Sequence, residues 1–167
     1  MVQIFLAHSS QDSWFIDPIA ENLRSINVDP YLAELDAPNP ESLYDKLKRA
    51  ILGSTAIFLI LTHNVMKRLE TRHVVDWEIA TAKAYDKPVY VFRERDVEIP
   101  ILISQLFVHV TFDPFNKRSM KKAMTRIVAI ASKFKELKES EDLVSAAAII
   151  IMIALGIVIL AAIFARK

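Results

Sequence analysis

The sequence predicts an α/β protein built on a doubly wound parallel sheet of five strands, with helices on both faces of the sheet. Apolar segments of strand length alternate with segments whose apolar residues recur at helical spacing. Residues 55–62, TAIFLILT, are continuously apolar between two threonines, which is typical of a central strand covered on both faces. Residues 143–165 form a separate uncharged segment near the end of the chain.

The first strand and the first helix are predicted within residues 2–26. Residues 2–7 form an apolar segment of strand length. Apolar residues then recur at helical spacing: Phe15, Ile16, Ile19, Ala20, Leu23 and Ile26. Pro18 lies early in this helix, so we expect its first turn to begin late or to bend. Trp14 and Phe15 are expected to belong to the core.

The middle of the chain contains a second strand, a loop, a helix and the central strand. The second strand is expected at 28–33, and an acidic loop broken by two prolines, ELDAPNP, follows at 34–40. A helix at about 43–52 is expected to end at Gly53, because glycine is common at the C-terminal ends of helices. The strand at 55–62 comes next.

The remaining elements repeat the same alternation. A helix is expected at 71–85, a fourth strand at 88–92, a fifth strand at 106–112 and a last helix at 116–137. Parallel strands of such a sheet end at the same edge, so a ligand site is expected beyond their carboxyl ends.

The composition excludes several classes of function. The chain has only two glycines, Gly53 and Gly156, so it lacks the glycine-rich loop of Rossmann and P-loop nucleotide sites. Without Arg166 and Lys167 it carries 19 basic and 20 acidic residues, and basic residues are not interleaved with aromatic ones, so no nucleic-acid partner is expected. Two histidines, His63 and His73, lack a third ligand at metal-site spacing, so no metal and no bound cofactor is expected.

Residues 143–165 are predicted to be a transmembrane helix. They include no charged residue, and Ser145 is their one polar residue. A helix of this length spans roughly 34 Å, which is enough to cross a hydrocarbon core of about 30 Å. The alternative is a buried core helix, although such a helix usually has a polar stripe. The segment is therefore expected to act as a single-pass C-terminal anchor in contact with membrane lipid.

The rest of the chain is expected to lie in the cytoplasm. Residues 1–7 lack the basic start and the long apolar stretch of a signal peptide. The chain has no cysteine, which fits a reducing compartment. Residues 117–138 contain eight basic residues and one acidic residue, and basic residues before a span favour a cytoplasmic side. This basic segment is either a solvated helix face or a contact with anionic lipid headgroups.

Four motifs in order resemble those of TIR domains, especially prokaryotic ones. Residues 5–12, FLAHSSQD, are similar to the family's first strand and the motif that ends it, and residues 36–40, DAPNP, to the loop after the second strand. Residues 50–54, AILGS, resemble the family's joint before the central strand. Residues 74–82, VVDWEIATA, resemble the helix that carries the catalytic glutamate, which corresponds to Glu78. The resemblance implies a flavodoxin-like fold.

The resemblance also implies an activity and a site. TIR domains of this type cleave NAD⁺ as a substrate between nicotinamide and ribose, which yields ADP-ribose or a cyclised isomer. Glu78 is implied as the catalytic residue, with substrate contacts from His8, Ser9, Asp36 and Trp77. An immune or antiphage role, activated by self-association or by binding other TIR domains, is implied for a member with a membrane anchor.

The loop after the second strand is implied to mediate assembly through Asp36, Pro38 and Asn39. Asn39 stands where the family usually has glycine, and it precedes Pro40, which disfavours a helical backbone at position 39. Many members also have tryptophan at the position of Val74. In domain terms, residues 1–115 are the TIR-like part, 116–142 are the last helix with a polar joint, and 143–165 are the span.

Other interpretations of these residues stay open from the sequence. Glu78 could be an exposed carboxylate paired with Lys83 or Arg72. The residues after the first strand, among them Ser9 and Asp12, could cap the first helix. His8 could be a packed histidine, and the acids of the 34–40 loop could be simply solvated.

Two functions compete with NAD⁺ cleavage. The chain could be a non-enzymatic adaptor that binds other TIR domains, an alternative favoured by Asn39 in the assembly loop. It could also resemble nucleoside deoxyribosyltransferases, which share the sheet topology and use a glutamate on a comparable helix. The predicted anchor disfavours the second alternative, because those enzymes act on freely diffusing nucleosides.

Overall fold

The computed structural model describes residues 1–32, 40–100 and 108–139. The predicted span at 143–165 lies outside this part of the chain, as do Asp36, Pro38 and Asn39. No helix in the described part is both long and apolar enough to cross a membrane.

The described residues form five strands that alternate with helices. The strands are β1 (Val2–Ala7), β2 (Val28–Leu32), β3 (Ala56–Leu61), β4 (Val89–Glu94) and β5 (Val108–Phe112). The helices are α1 (Ser13–Ser25), α2 (Pro40–Gly53), α3 (His63–Lys67), α4 (Leu69–Ala84) and α5 (Lys117–Glu139). A short 3₁₀ helix, Ser10–Asp12, precedes α1. The short α3 was not predicted from the sequence.

The sheet has the strand order β2-β1-β3-β4-β5, and every neighbouring pair is parallel. This order confirms the predicted five-stranded parallel sheet with helices on both faces. It belongs to the doubly wound class in which strand order reverses beside the first strand, so the carboxyl ends of β1 and β3 flank the switch point.

Two apolar layers cover the two faces of the sheet. On one face, residues of α1 and α5 pack against alternate strand residues, including Ile4, Phe58 and Phe92. On the other face, residues of α2 and α4 pack against the intervening strand residues, including Phe5, Leu59 and Val91. All six residues of β3 are buried, because both of its faces are covered, as its continuously apolar sequence predicts.

Helix α5 is part of the packed head. Its apolar side contributes Ala123, Ile127, Ile130 and Phe134 to the first layer. At its C-terminal end, the Lys138 ammonium donates a 2.7 Å hydrogen bond to the Met1 carbonyl. The helix therefore runs from the carboxyl edge of the sheet back to the edge where β1 begins.

Candidate functional site

Helix α4 carries a carboxylate in its buried stripe. Val75, Glu78, Ile79 and Ala82 are the buried residues of this helix, and their spacing places them on the side that faces the sheet. The three apolar members belong to the layer that contains Leu59 of β3. Glu78 therefore occupies a position where an apolar residue is normally found.

The Glu78 side chain is enclosed but incompletely paired. Glu78 is 3% exposed, and its Oε2 atom has no hydrogen-bond partner among the described residues. Burial raises its pKa from the ordinary value of 4.5 to about 8, because a carboxylate loses hydration when it leaves water. An enclosed carboxylate without a full set of partners destabilises the fold, so Glu78 is a candidate for a functional role.

The direction of α4 predicts a tilt of the Glu78 Cα–Cβ bond toward the expected ligand edge. Helix α4 connects the parallel strands β3 and β4, so it begins near their carboxyl ends and runs back along the sheet. Side chains on a helix lean toward its N-terminus. The Cα–Cβ bond of Glu78 is accordingly expected to tilt toward the carboxyl edge of the sheet, although the residue lies near the middle of α4.

The alternative of an exposed, ion-paired Glu78 is wrong. The residue is buried, whereas such a pair needs a solvated carboxylate. Arg72, one of the two cations considered for the pair, instead lies 3.8 Å from Asp76, one turn further along the helix. Residues four apart on a helix are neighbours on its surface, so Arg72 pairs more readily with Asp76 than with Glu78, which faces the sheet.

His8 lies directly after β1 and is held by the backbone. Its Nδ1 atom lies 2.7 Å from the Leu6 carbonyl oxygen. Burial lowers the pKa of His8, and the hydrogen bond to Leu6 opposes this only in part, so the structure favours the neutral imidazole. With Nδ1 donating to Leu6, Nε2 is an acceptor that can receive a hydrogen bond from a ligand hydroxyl.

Ser9 and Asp12 have different roles, although both were considered as helix caps. The buried Ser9 hydroxyl oxygen accepts a 3.3 Å hydrogen bond from the Gln11 amide and caps the short 3₁₀ helix. Asp12 stands at the N-terminal position before α1, yet its side chain makes no capping hydrogen bond there. Ser9 therefore caps the 3₁₀ helix that precedes α1 and not α1 itself, and the capping interpretation is wrong for Asp12.

The Asp12 carboxylate instead joins the ends of two adjacent strands. One oxygen accepts a 2.6 Å hydrogen bond from the Thr62 hydroxyl, and the other accepts a 2.7 Å hydrogen bond from the Asn64 amide. The Thr62 oxygen in turn accepts a hydrogen bond from the Val65 amide and caps α3. This network fixes the edge beside the switch point.

Sequence reasoning missed this network, although a signal for it was present. Polar residues follow β1 and β3 directly, at Ser9 to Asp12 and at Thr62 to Asn64. Since these strands are parallel neighbours, residues after them meet at one edge. Combining the two polar segments would have paired Asp12 with Thr62.

The structure shows the surroundings of the two tryptophans. Trp77 packs against the ring of Tyr44 on α2, with the ring centroids 4.8 Å apart in an edge arrangement. Its predicted contact with substrate stays a prediction. Trp14 was expected in the core, which is wrong: it is 48% exposed and stacks on the outer side of the buried Phe15.

The structure describes only some of the predicted substrate and assembly residues, and none of its hydrogen bonds or ion pairs joins Glu78 to His8 or Ser9. His8 and Ser9 lie at the carboxyl end of β1, and Glu78 lies on the helix after β3. The loop positions Asp36, Pro38 and Asn39 fall outside the described residues. In the described ranges, no group of three histidine, aspartate or glutamate side chains is placed to hold a metal ion.

Comparison with known protein families shows to which family the chain belongs. The family described as "TIR domain" matches residues 4–128, which is most of the chain and extends into α5. This chain belongs to the TIR domain family. TIR domains include enzymes that cleave NAD⁺ and domains that signal by binding other TIR domains.

Two solved structures share the fold of this TIR protein at low sequence identity, and a third is less similar. A prokaryotic SEFIR domain is 13% identical with a TM-score of 0.53, and the match covers 77% of this chain and 97% of that one. A 2-deoxyribosyltransferase from Bacillus psychrosaccharolyticus is 16% identical with a TM-score of 0.51, covering 71% and 96%. The TIR domains of the activated Roq1 resistosome are 13% identical with a TM-score of 0.48, covering 78% and 85%. No curated protein matches the sequence.

Proposed function

We propose that this TIR protein cleaves NAD⁺ at the bond between nicotinamide and ribose, with Glu78 as the catalytic residue. The observation that supports this most directly is the state of Glu78, a buried carboxylate with an oxygen that lacks a partner among the described residues. Its place on the helix between β3 and β4 corresponds to that of the family's catalytic glutamate.

The chemistry requires one well-placed carboxylate and no general acid. Nicotinamide in NAD⁺ is a cationic pyridinium, so it leaves with the bonding electron pair as a neutral molecule and needs no proton. The ribose carbon that it leaves becomes oxocarbenium-like, and a nearby carboxylate stabilises the positive charge. Attack by water then gives ADP-ribose and a released proton, whereas attack by the adenine ring gives a cyclic isomer.

Burial of Glu78 strengthens this stabilisation. A negative charge in a low-dielectric environment interacts more strongly with a cationic centre than it does in water. The same burial keeps much of Glu78 protonated at neutral pH in the empty site, because its pKa is raised to about 8. The pyridinium charge of NAD⁺ and the ribose hydroxyls both favour the ionised form, so substrate binding releases a proton from Glu78.

Neighbouring residues of the site are proposed to orient the ribose and the nicotinamide. The neutral His8 presents an acceptor nitrogen at the end of β1, since its Nδ1 is engaged by Leu6. The proposed contacts from Ser9, Trp77 and Asp36 follow from the family resemblance.

Activity is proposed to depend on clustering at a membrane. Residues 143–165 are proposed as a C-terminal anchor that holds the head in the cytoplasm, and self-association through the 34–40 loop as the activating step. Confinement to a membrane raises the local concentration of heads, which favours assembly without any new contact. Such a device suits a defence response that must stay silent until triggered.

The test uses the full-length chain in detergent and in liposomes at increasing protein density, with NAD⁺ as substrate. Mass spectrometry follows nicotinamide together with ADP-ribose or a cyclic isomer. We expect Glu78→Ala to lower turnover by at least about 100-fold, because a principal electrostatic group is lost. The matched control is Glu70→Ala, an exposed glutamate in the first turn of the same helix. Undiminished nicotinamide release from Glu78→Ala would remove Glu78 from the mechanism.

The same preparation separates the two competing functions. Absence of turnover at every density, together with capture of TIR partners that Pro38→His abolishes, would support a non-enzymatic adaptor. Turnover of deoxynucleosides in place of NAD⁺ would support a deoxyribosyltransferase-like enzyme, an alternative that the shared fold leaves open.

A further inference from the structure

Arg93 lies on the same side of the sheet as Glu78. Leu61 and Arg93 are paired across β3 and β4. The pairs two and four residues earlier, Leu59 with Val91 and Ile57 with Val89, belong to the layer under α2 and α4. Side chains paired in a parallel sheet point to the same face. Arg93 therefore extends this row to the carboxyl edge, on the face that α4 covers.

The Arg93 guanidinium has few partners. Its Nε atom is buried and has no hydrogen-bond partner in the described part of the chain. Its Nη2 atom makes one hydrogen bond, of 3.4 Å, to the Thr111 hydroxyl on β5. A guanidinium carries five donors in a rigid fork, so this site leaves donors available for a planar or tetrahedral anion.

Acidic residues around Arg93 are already engaged with other groups. Glu94, the next residue, accepts a 3.0 Å hydrogen bond from the His63 amide and lies 3.1 Å from the His63 ring. Asp113 lies 3.2 Å from Arg95. No carboxylate of the described residues forms an ion pair with Arg93, so its charge is not neutralised there.

We infer that Arg93 is an anion-binding residue that holds the pyrophosphate of a dinucleotide whose ribose lies against Glu78. Assigning pyrophosphate as the anion rests on the proposed function, since NAD⁺ carries two adjacent phosphates between its riboses. The arrangement places a carboxylate and a guanidinium on one face of the sheet, for the cationic and the anionic parts of one substrate.

The two side chains are suited to different parts of the ligand because they do not neutralise each other. Burial raises the pKa of Glu78, and no cation of the described residues offsets that effect. Arg93 and Glu78 also form no ion pair within 4.0 Å. Arg93 is thus a binding residue for the substrate and has no direct part in stabilising the reacting carbon.

The experiment compares Arg93→Gln with Arg95→Gln in the full-length chain. Arg95 is the matched control, since it lies two residues further on and is paired with Asp113. Two readouts are used: thermal stabilisation by inorganic pyrophosphate or ADP-ribose, and NAD⁺ kinetics. We expect Arg93→Gln to abolish the stabilisation and to raise KM roughly tenfold or more with little change in kcat, because a charged hydrogen bond common to ground and transition states is lost.

A second variant and a second substrate make the test specific. Arg93→Lys keeps the positive charge but lacks the planar set of guanidinium donors. It is expected to retain part of the pyrophosphate binding that Arg93→Gln loses. Nicotinamide riboside, which has no phosphate, is expected to be cleaved equally by wild type and Arg93→Gln. Unchanged pyrophosphate binding and an unchanged KM in Arg93→Gln would overturn the assignment. A third outcome is possible: the wild type binds pyrophosphate but never turns over NAD⁺, and Arg93→Gln loses the pyrophosphate binding. That outcome would support the anion site and refute the proposed function.

Discussion

The Thr62 hydroxyl donates a 2.6 Å hydrogen bond to the buried Asp12 carboxylate and thereby ties the segment after β1 to the start of α3. The bond spans fifty residues of sequence and crosses between the two strands that flank the switch point. His8 and Ser9 lie on the segment that this bond fixes. The rigidity of the candidate site therefore depends on a residue that is not proposed to touch substrate.

Asp12→Ala is expected to destabilise the protein by about 2–3 kcal/mol, because it removes two hydrogen bonds to a charged group and leaves Thr62 and Asn64 unpaired. Urea denaturation followed by circular dichroism measures the change. Asp17→Ala, at an exposed position of α1, is the control and should cost less than about 0.5 kcal/mol. Equal effects of the two substitutions would show that the network contributes nothing.

Stability is expected to fall as pH rises from about 4.5 to about 8, since the pKa of Glu78 is raised to about 8 in the folded protein. In that window the folded state retains a proton that the unfolded state has lost, at about 1.4 kcal/mol per pH unit as an upper limit. Glu78→Gln should remove this slope, so that its advantage over wild type grows from pH 5 to pH 8. Glu70→Gln is the control, and a slope unchanged in Glu78→Gln would contradict a buried, protonated Glu78.

The pH profile of NAD⁺ cleavage should rise toward alkaline pH. In the free enzyme the ionised form of Glu78 is the active form, so kcat/KM is expected to increase with pH and to level off above about 8. The profile of kcat should level off at lower pH, because bound substrate favours the ionised carboxylate. Initial rates between pH 5.5 and 9.5 provide both profiles, and a kcat/KM that is flat across that range would exclude a protonated resting state.

The contact between Tyr44 and Trp77 is expected to couple α2 to α4. A double-mutant cycle with Tyr44→Ala and Trp77→Ala should yield an interaction energy of about 0.5–1.5 kcal/mol, as edge-on aromatic pairs do. Tyr44→Ala and Trp14→Ala form the control cycle, since the structure shows no ring contact between those residues. Additive effects of the Tyr44 and Trp77 substitutions would mean that the two rings do not interact.

Local sequence was sufficient for much of the fold. The strand at 56–61 follows from an apolar segment that needs two covered faces, and the strand at 2–7 from its length and position before polar residues. The helix predicted at 71–85 was found as α4, with Val75, Ile79 and Ala82 on its buried side. These features depend on the spacing of apolar residues within one segment, which can be read directly from the sequence.

Pairing between distant segments was decided by tertiary structure. Asp12 was expected to cap its own helix, yet the parallel pairing of β1 with β3 brought Thr62 and Asn64 within reach of its carboxylate. Trp14 became exposed because Phe15, one residue on, occupies the inner side of α1 against Phe112. The apolar character of Trp14 and Phe15 does not specify which of the two occupies the buried side of the helix.

The sequence by itself determined an alternating α/β chain and a family resemblance that points to Glu78, but it left the exposure of Glu78 open. The tertiary structure decided that this carboxylate is buried, which raises its pKa to about 8, and that Arg93 lies on the same face without an ion-pair partner among the described residues. The physical reason is that burial and charge pairing depend on which segments meet across the sheet. The contacts between segments follow from the order of the strands in the sheet, which no single segment specifies.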